Sequence, residues 1–328
     1  MLKEIRPNIY IFDLPLRNNP LRSLNTYIIK GEESLMIDSG FDTDENMTIV
    51  MNALRELNIS PNKLRLFLTH LHSDHTGLAA RMAELGTKIY MGRVDARILE
   101  ESLDENSQYW KGLEQDAIMQ GLEEDQLTIS DHPGYVYRPK SMPYIHLSDD
   151  GDVFHAGPYT FVATTFPGHT PGLQALYEPA HGYLFSGDHI LETITPNITY
   201  WGEEFADALG KYLKSLDQVK NMDVSQVFSS HRQLPENHLK RIEEIEAHHA
   251  HRLAECLEIL EKNGRSTVRD VTRNLHWDIR AKDWNDFPKS QKWFAAGEAH
   301  AHLFHLKAKG EIRQTKEGGI LLYERIKA

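Results

Sequence analysis

Short apolar runs and amphipathic stretches alternate along the first 230 residues. Residues 9–12, 25–29 and 34–37 read as three strands joined by short polar turns, the opening of a meander. Met47, Val50, Met51, Leu54 and Leu57 then recur at helical spacing and predict a helix over 42–57. Residues 64–68 are a short, mostly apolar run of the buried-strand kind. A helix is expected to open at Thr76 and run to Leu85, with a strand at 88–91, so the first half is βαβ-like.

From 94 to 141 the rhythm breaks into two or three short helices rich in acids, followed by an aromatic and proline loop at 131–139. Hairpins are predicted at 151–162 and, around Ala180-His181-Gly182, at 175–185; His155 and His181 are then exposed turn residues. A helix over 203–219 and a strand at 227–228 follow. Residues 235–262 form one long charged helix carrying His248, His249 and His251, read as solvated histidines. The tail reads as helix 267–275, helix 289–309 and a hairpin over 311–325 that turns at Glu317-Gly318-Gly319. His300 and His302 lie two apart on a helix and point apart, which makes them poor partners for one ion.

Chemistry concentrates at strand ends. Thr69-His70-Leu71-His72-Ser73-Asp74-His75 places four metal-binding side chains within six residues, on a strand-to-helix loop where open α/β folds put their sites. In an extended segment His70 and His72 point the same way, and the turn that follows swings Asp74 and His75 toward a second position. Imidazole and carboxylate suit zinc, iron or manganese. Downstream, His169 sits on the turn Pro167-Gly168-His169-Thr170-Pro171-Gly172, Asp188 ends a strand in Phe185-Ser186-Gly187-Asp188-His189, and His231 follows another.

His-x-His-x-Asp-His followed by a distant His, Asp and His in that order resembles the metallo-β-lactamase superfamily over roughly residues 5 to 235. The resemblance implies an α/β fold: an αββα sandwich over 1–235 with a helical insertion at 94–141. A connecting helix at 236–262 and a subdomain at 263–328, similar to the winged-helix module of some such hydrolases, would follow. It implies two divalent transition-metal ions, zinc first and iron or manganese as alternatives. His70, His72 and His169 would hold one and Asp74, His75 and His231 the other, with Asp188 between them and a bridging hydroxide as nucleophile. Asp74 would also assist the leaving group. Asp38, at the end of the third strand, would support the metal loop without touching an ion, with His189 in a similar supporting place. Insertions at this point of the fold often wall the substrate pocket, which makes Tyr135, Tyr137 and Arg138 candidate substrate contacts.

Composition narrows the partners. At 40% hydrophobic and 26% charged the chain is of ordinary globular make-up. It has no apolar run of membrane-spanning length, and its amino terminus lacks an apolar signal core. One cysteine, Cys256, excludes an internal disulfide and a cysteine-based zinc site, and the cytoplasm is the expected compartment. The net charge of −12 argues against a general nucleic-acid binder. From Ser266 onward, however, 12 Lys and Arg face 8 Asp and Glu, a local excess that a homodimer contact explains as well as a nucleic acid would.

The expected activity is therefore hydrolysis of a small thioester, lactone or other ester. A relative of the superfamily with a similar tail is an endoribonuclease, which keeps phosphodiester cleavage as an alternative. A mononuclear-iron sulfur dioxygenase would not need His75, Asp188 and His231, and a regulator acting through the winged helix would not need an intact site. Acids of the insertion, among them Glu100, Glu101, Asp104, Glu114, Glu123, Glu124 and Asp125, would repel a long polyanion if they lined the pocket.

Overall fold

The first apolar runs build a seven-stranded sheet in sequential order in the computed structural model, which describes residues 1–17 and 19–326. Its strands are β1 (Lys3–Arg6), β2 (Ile9–Pro15), β3 (Ser23–Ile29), β4 (Ser34–Ile37), β5 (Leu64–Leu68), β6 (Lys88–Gly92) and β7 (Ile145–Ser148). β1 to β4 meander antiparallel, whereas β4 to β7 run parallel. Parallel neighbours need crossovers. The first is α1 (Asp44–Glu56), capped by the Thr43 hydroxyl and started by two acids that suit the positive end of a helix. The second is α2 (Ser73–Thr76) and α3 (Ala79–Glu84), two pieces where one helix was expected. The third contains the insertion: α4 (Arg93–Leu103), α5 (Gln108–Met119) and α6 (Pro133–Val136). β7 escaped the sequence pattern because it is a four-residue edge strand with only one buried side chain.

The second sheet takes β8 (Val153–Ala156), β9 (Tyr159–Thr165), β10 (Gln174–Glu178), β11 (Tyr183–Gly187) and, after α7 (Ala208–Lys220), β12 (Gln226–Ser229). Its order is β12-β11-β10-β9-β8, with β12 parallel to β11. The two sheets pack through aromatic side chains: Tyr27 and Phe67 of the first lie in one core with Phe161, Phe185 and Phe228 of the second. Tyr27 meets Phe185 edge-on at 5.1 Å. Truncating one such ring costs about 3–5 kcal/mol in buried cores, so this layer fixes how the strand ends of the two sheets meet. On the outer faces lie Val50, Ala53 and Leu54 of α1, and on the other side Leu209, Tyr212 and Leu216 of α7 with Ile242 and Ile245 of α8 (His238–Asn263).

The tail has its own core. α9 (Val268–Asn274) and α10 (Lys289–Ala308) pack with α8 and a three-stranded antiparallel sheet of β13 (Ser266–Thr267), β15 (Ile320–Arg325) and β14 (Ile312–Glu317). Cys256, Leu260, Val271, Leu303 and Tyr323 are buried within it. His251 is exposed, as expected, but His249 is not: it is buried against His302, ring nitrogen to ring nitrogen at 3.0 Å. The helix turns that residue inward onto α10, which its charged neighbours conceal in the sequence.

The insertion is bound to the tail. The Asp125 side chain is nearly closed off from solvent, its carboxylate 2.6 Å from Arg269 and 2.9 Å from Lys292 while accepting the indole N–H of Trp284 at 2.8 Å. Glu124 also pairs with Arg269, at 2.8 Å. These two acids therefore pair with the tail. Among the described residues, no helix is long and apolar enough to cross a membrane.

Candidate metal centre

Five strand ends converge on one place. Asp38 directly follows β4, His70 lies two residues after β5, His169 follows β9, Asp188 directly follows β11 and His231 lies two residues after β12. The sheets bring β5 and β11 so close that Gly187, at φ +55°, leaves no room for a Cβ against Thr69. All seven sequence-predicted metal residues meet here. His72 Nδ1 lies 3.0 Å from both His70 Nε2 and His169 Nε2. Asp74 Oδ2 is 3.4 Å from His231 Nε2 and 3.8 Å from His75 Nε2. Asp188 faces both groups: Oδ1 is 3.6 Å from His75 Nε2 and 3.4 Å from His231 Nε2, and Oδ2 is 3.7 Å from His169 Nε2. Among the described residues, three overlapping sets could hold an ion: His70, His72 and His169; His70, His75 and Asp188; Asp74, His75 and His231.

The residues fit metal ions. A tetrahedral zinc with bonds of about 2.0–2.1 Å sets its nitrogens about 3.3 Å apart, close to these spacings. Four imidazoles direct Nδ1 outward to a fixed partner: His75 to Asp38 at 2.8 Å, His169 to the Asn197 carbonyl at 2.9 Å, His231 to the Ser23 carbonyl at 2.9 Å and His70 to the Thr69 hydroxyl at 3.0 Å. With Nδ1 protonated, each Nε2 lone pair faces the centre. His75 Nε2, His231 Nε2 and Asp188 Oδ1 are buried with no hydrogen-bond partner, an expensive arrangement for polar atoms that nothing completes.

The electrostatics agree. Burial lowers His70 and takes His72 down to about 3, so both offer lone pairs at neutral pH. Burial also works against a charge on His75 and His231, yet the carboxylates of Asp38, Asp188 and Asp74 raise the first well above its ordinary value, and Asp188 and Asp74 raise the second to about 10. Asp74 falls to about 2, the neighbouring His75 and His231 outweighing its burial. The acidic half of the site thus favours positive charge, which a cation supplies.

Asp38 stands where the sequence put it, accepting from His75 and, through Oδ1, from the Thr69 backbone N–H at 2.8 Å. His189 does not: neither ring nitrogen has a hydrogen-bond partner, and the ring stacks on Phe166 at 4.7 Å. With Asp188 turned into the site, its neighbour is directed into the apolar layer beside Tyr212. The three insertion residues read as substrate contacts make contacts within the chain. Tyr135 packs edge-on against Trp110, Arg138 lies over the Tyr135 ring and pairs with Glu105, and Tyr137 stacks on Phe41.

Two functional neighbours were not read from the sequence. Asp95, buried in the first turn of α4, accepts from Leu71 N–H at 3.0 Å, Thr170 Oγ1 at 2.6 Å and Gly172 N–H at 2.6 Å. One carboxylate thereby ties the His70–His72 segment to the turn bearing His169. Its only sequence signal is an acid just after a strand end, which helix starts commonly show. Trp201 donates its indole N–H to the His169 carbonyl at 3.2 Å and lies roughly parallel to His72, with ring centroids 6.3 Å apart. It lies in a stretch without helix or strand periodicity.

This arrangement has known relatives. The chain belongs to the metallo-beta-lactamase superfamily, which matches over residues 19–231, and members of that superfamily are generally metal-dependent hydrolases. It is similar in structure to a metallo-beta-lactamase family protein of Thermus thermophilus, with a TM-score of 0.80 at 22% identity covering 98% of this chain and 100% of that one. A beta-lactamase domain protein of Burkholderia ambifaria gives 0.79 at 25% identity, covering 99% and 95%. The Beta-lactamase-like protein 2 homolog of Caenorhabditis elegans is 23% identical over 282 residues, 83% of this chain and 79% of its own length. The two structural likenesses extend through the tail.

Proposed function

We propose that this chain hydrolyses a small ester-like bond, such as a thioester or lactone, with two divalent transition-metal ions, zinc foremost. His70, His72 and His169 would form one position, Asp74, His75 and His231 the other, and Asp188 would stand between them. The observation that carries this reading is the outward direction of four Nδ1 atoms, which leaves Nε2 lone pairs converging beside unpartnered Asp188 Oδ1. Ions bound there supply Lewis acidity and bring the pKa of water toward 7.

The chain's own groups do the rest. Asp38, Asn197 and Ser23 hold the imidazoles in one tautomer and orientation. Asp74, ionised at neutral pH, can take the proton that the attacking water gives up, on the carboxylate oxygen not held by an ion, and return it to a departing alkoxide or thiolate. Trp201, roughly parallel to His72, ties its indole N–H to the His169 carbonyl. The tail, three helices with a small antiparallel sheet, supports a winged-helix reading, and its contacts with Asp125 favour a packing role over a nucleic-acid one.

The test is a panel of thioesters, lactones, phosphodiesters and single-stranded RNA on zinc-loaded protein. Ester cleavage that disappears in His70→Ala is expected. RNA cleavage exceeding ester cleavage, and lost in the same variant, would assign the phosphodiesterase activity instead.

A further inference from the structure

The tail reaches the metal centre through residues 192–202, the stretch after β11 that has no regular structure. Asn197 has three attachments there. Its carbonyl accepts the Nδ1–H of His169 at 2.9 Å, and its side-chain amide donates to Glu298 Oε2, on α10, at 3.0 Å and, at the longer distance of 3.5 Å, to the Phe294 carbonyl of the same helix. Three residues on, the Tyr200 N–H donates to the Gly297 carbonyl at 3.1 Å. Gly297 is required by the same approach, since a Cβ there would run into the Thr199 side chain. Glu298 is itself held, with Oε1 3.8 Å from His248 Nε2 on α8.

A stretch without ladder hydrogen bonds takes its position from what it is tied to, and here the ties lead to α10. The carbonyl that accepts from an imidazole sets both its tautomer and its rotation. We infer that Glu298 is a positioning residue for His169: by gripping the Asn197 amide, it fixes the carbonyl that orients this imidazole, and α10 is thereby a working part of the first metal position. Asn197 is the intermediate, and Gly297 lets the two backbones come close enough for the grip. This inference rests on the metal reading proposed above.

The experiment measures Zn²⁺ affinity and stoichiometry on the full chain by chelator competition, with thermal unfolding recorded alongside. Parent protein should hold two zinc ions. Glu298→Ala and Asn197→Ala should each weaken one of the two by about tenfold or more, the scale seen when a supporting partner of a ligand is lost. Glu298→Gln, whose amide oxygen can still accept from Asn197, should restore the parent affinity. The double variant Glu298→Ala/Asn197→Ala should be no weaker than Asn197→Ala alone, because that change already removes every link of the amide to α10. Unmoved affinity in Asn197→Ala, equal loss of both ions, or failure of Glu298→Gln to rescue would overturn the inference. Should Glu298→Ala not fold, Asn197→Ala decides, since its side chain is only half-buried. Parent protein that binds no zinc would instead overturn the metal reading itself, an outcome distinct from a two-zinc parent with unmoved variants.

Discussion

Asp38 accepts the Nδ1–H of His75 at 2.8 Å, and both side chains are closed off from solvent. The same carboxylate takes the Thr69 N–H and, with φ at +60°, turns the chain directly after β4. A single residue thus joins the end of one strand to the start of the metal loop on the next.

Replacing it should be felt twice. Asp38→Ala removes the acceptor that sets the His75 tautomer, and zinc affinity should fall about 10–100-fold. It also breaks a buried pair, for which a loss of about 3–5 kcal/mol is typical. Chelator competition reads the first effect and denaturant unfolding of metal-free protein the second. Affinity that does not move would reduce Asp38 to a turn former.

Asp188 offers one oxygen to each half of the site. If it stands between two ions, Asp188→Ala should lower ester hydrolysis more than His231→Ala, and elemental analysis should find up to two ions in the parent. A fully active protein with one ion, unimproved by a second, would remove the dinuclear assignment.

Much of this centre was readable because its residues close strands, and a strand end before a turn has a plain sequence signature. The loop from His70 to His75 is contiguous, so its geometry follows from local rules; His169, Asp188 and His231 stand out as strand-end residues, and the superfamily pattern then assigned them to that loop. What stayed hidden depends on contacts across the fold. Asp95 touches Leu71 and Gly172 across long stretches of chain, and nothing near Asp95 marks it. His189 misled because adjacency to Asp188 suggests a shared role, whereas successive residues after a strand point to opposite sides. His249 likewise looks solvated until α8 and α10 are placed together and it meets His302.

Asp95 also makes a pH prediction. Burial raises its carboxyl to about 6, although hydrogen bonds from Thr170, Gly172 and Leu71 pull it down. In the unfolded chain the value is about 3.9. Between about pH 4 and 6 the folded chain keeps a proton that the unfolded chain has released, so this group's contribution to stability falls as pH rises through that window. Asp95→Asn cannot titrate. The stability of metal-free parent protein relative to Asp95→Asn should therefore decline from pH 4 to 6, by at most about 3 kcal/mol, and level off above 7. A flat difference would mean that three donors keep the carboxylate ionised throughout.

The reaction class turns on whether a polyanion has anything to hold. The tail carries an excess of basic residues, yet Arg269 and Lys292 are taken up by Asp125, Lys289 by Asp131, Arg265 by Glu317, Arg313 by Glu324 and Arg325 by Glu261. Cations engaged this way release few counterions on meeting a phosphate backbone, and it is that release which drives non-specific binding. Titration of full-length protein with duplex DNA and duplex RNA should accordingly show no appreciable binding near 0.15 M salt, and a shallow salt dependence for whatever appears at low ionic strength. The small-ester assignment predicts the same result, because a compact substrate needs no basic track. Binding that persists at about 0.15 M salt, with a slope implying several neutralised phosphates, would return the phosphodiester reading to first place.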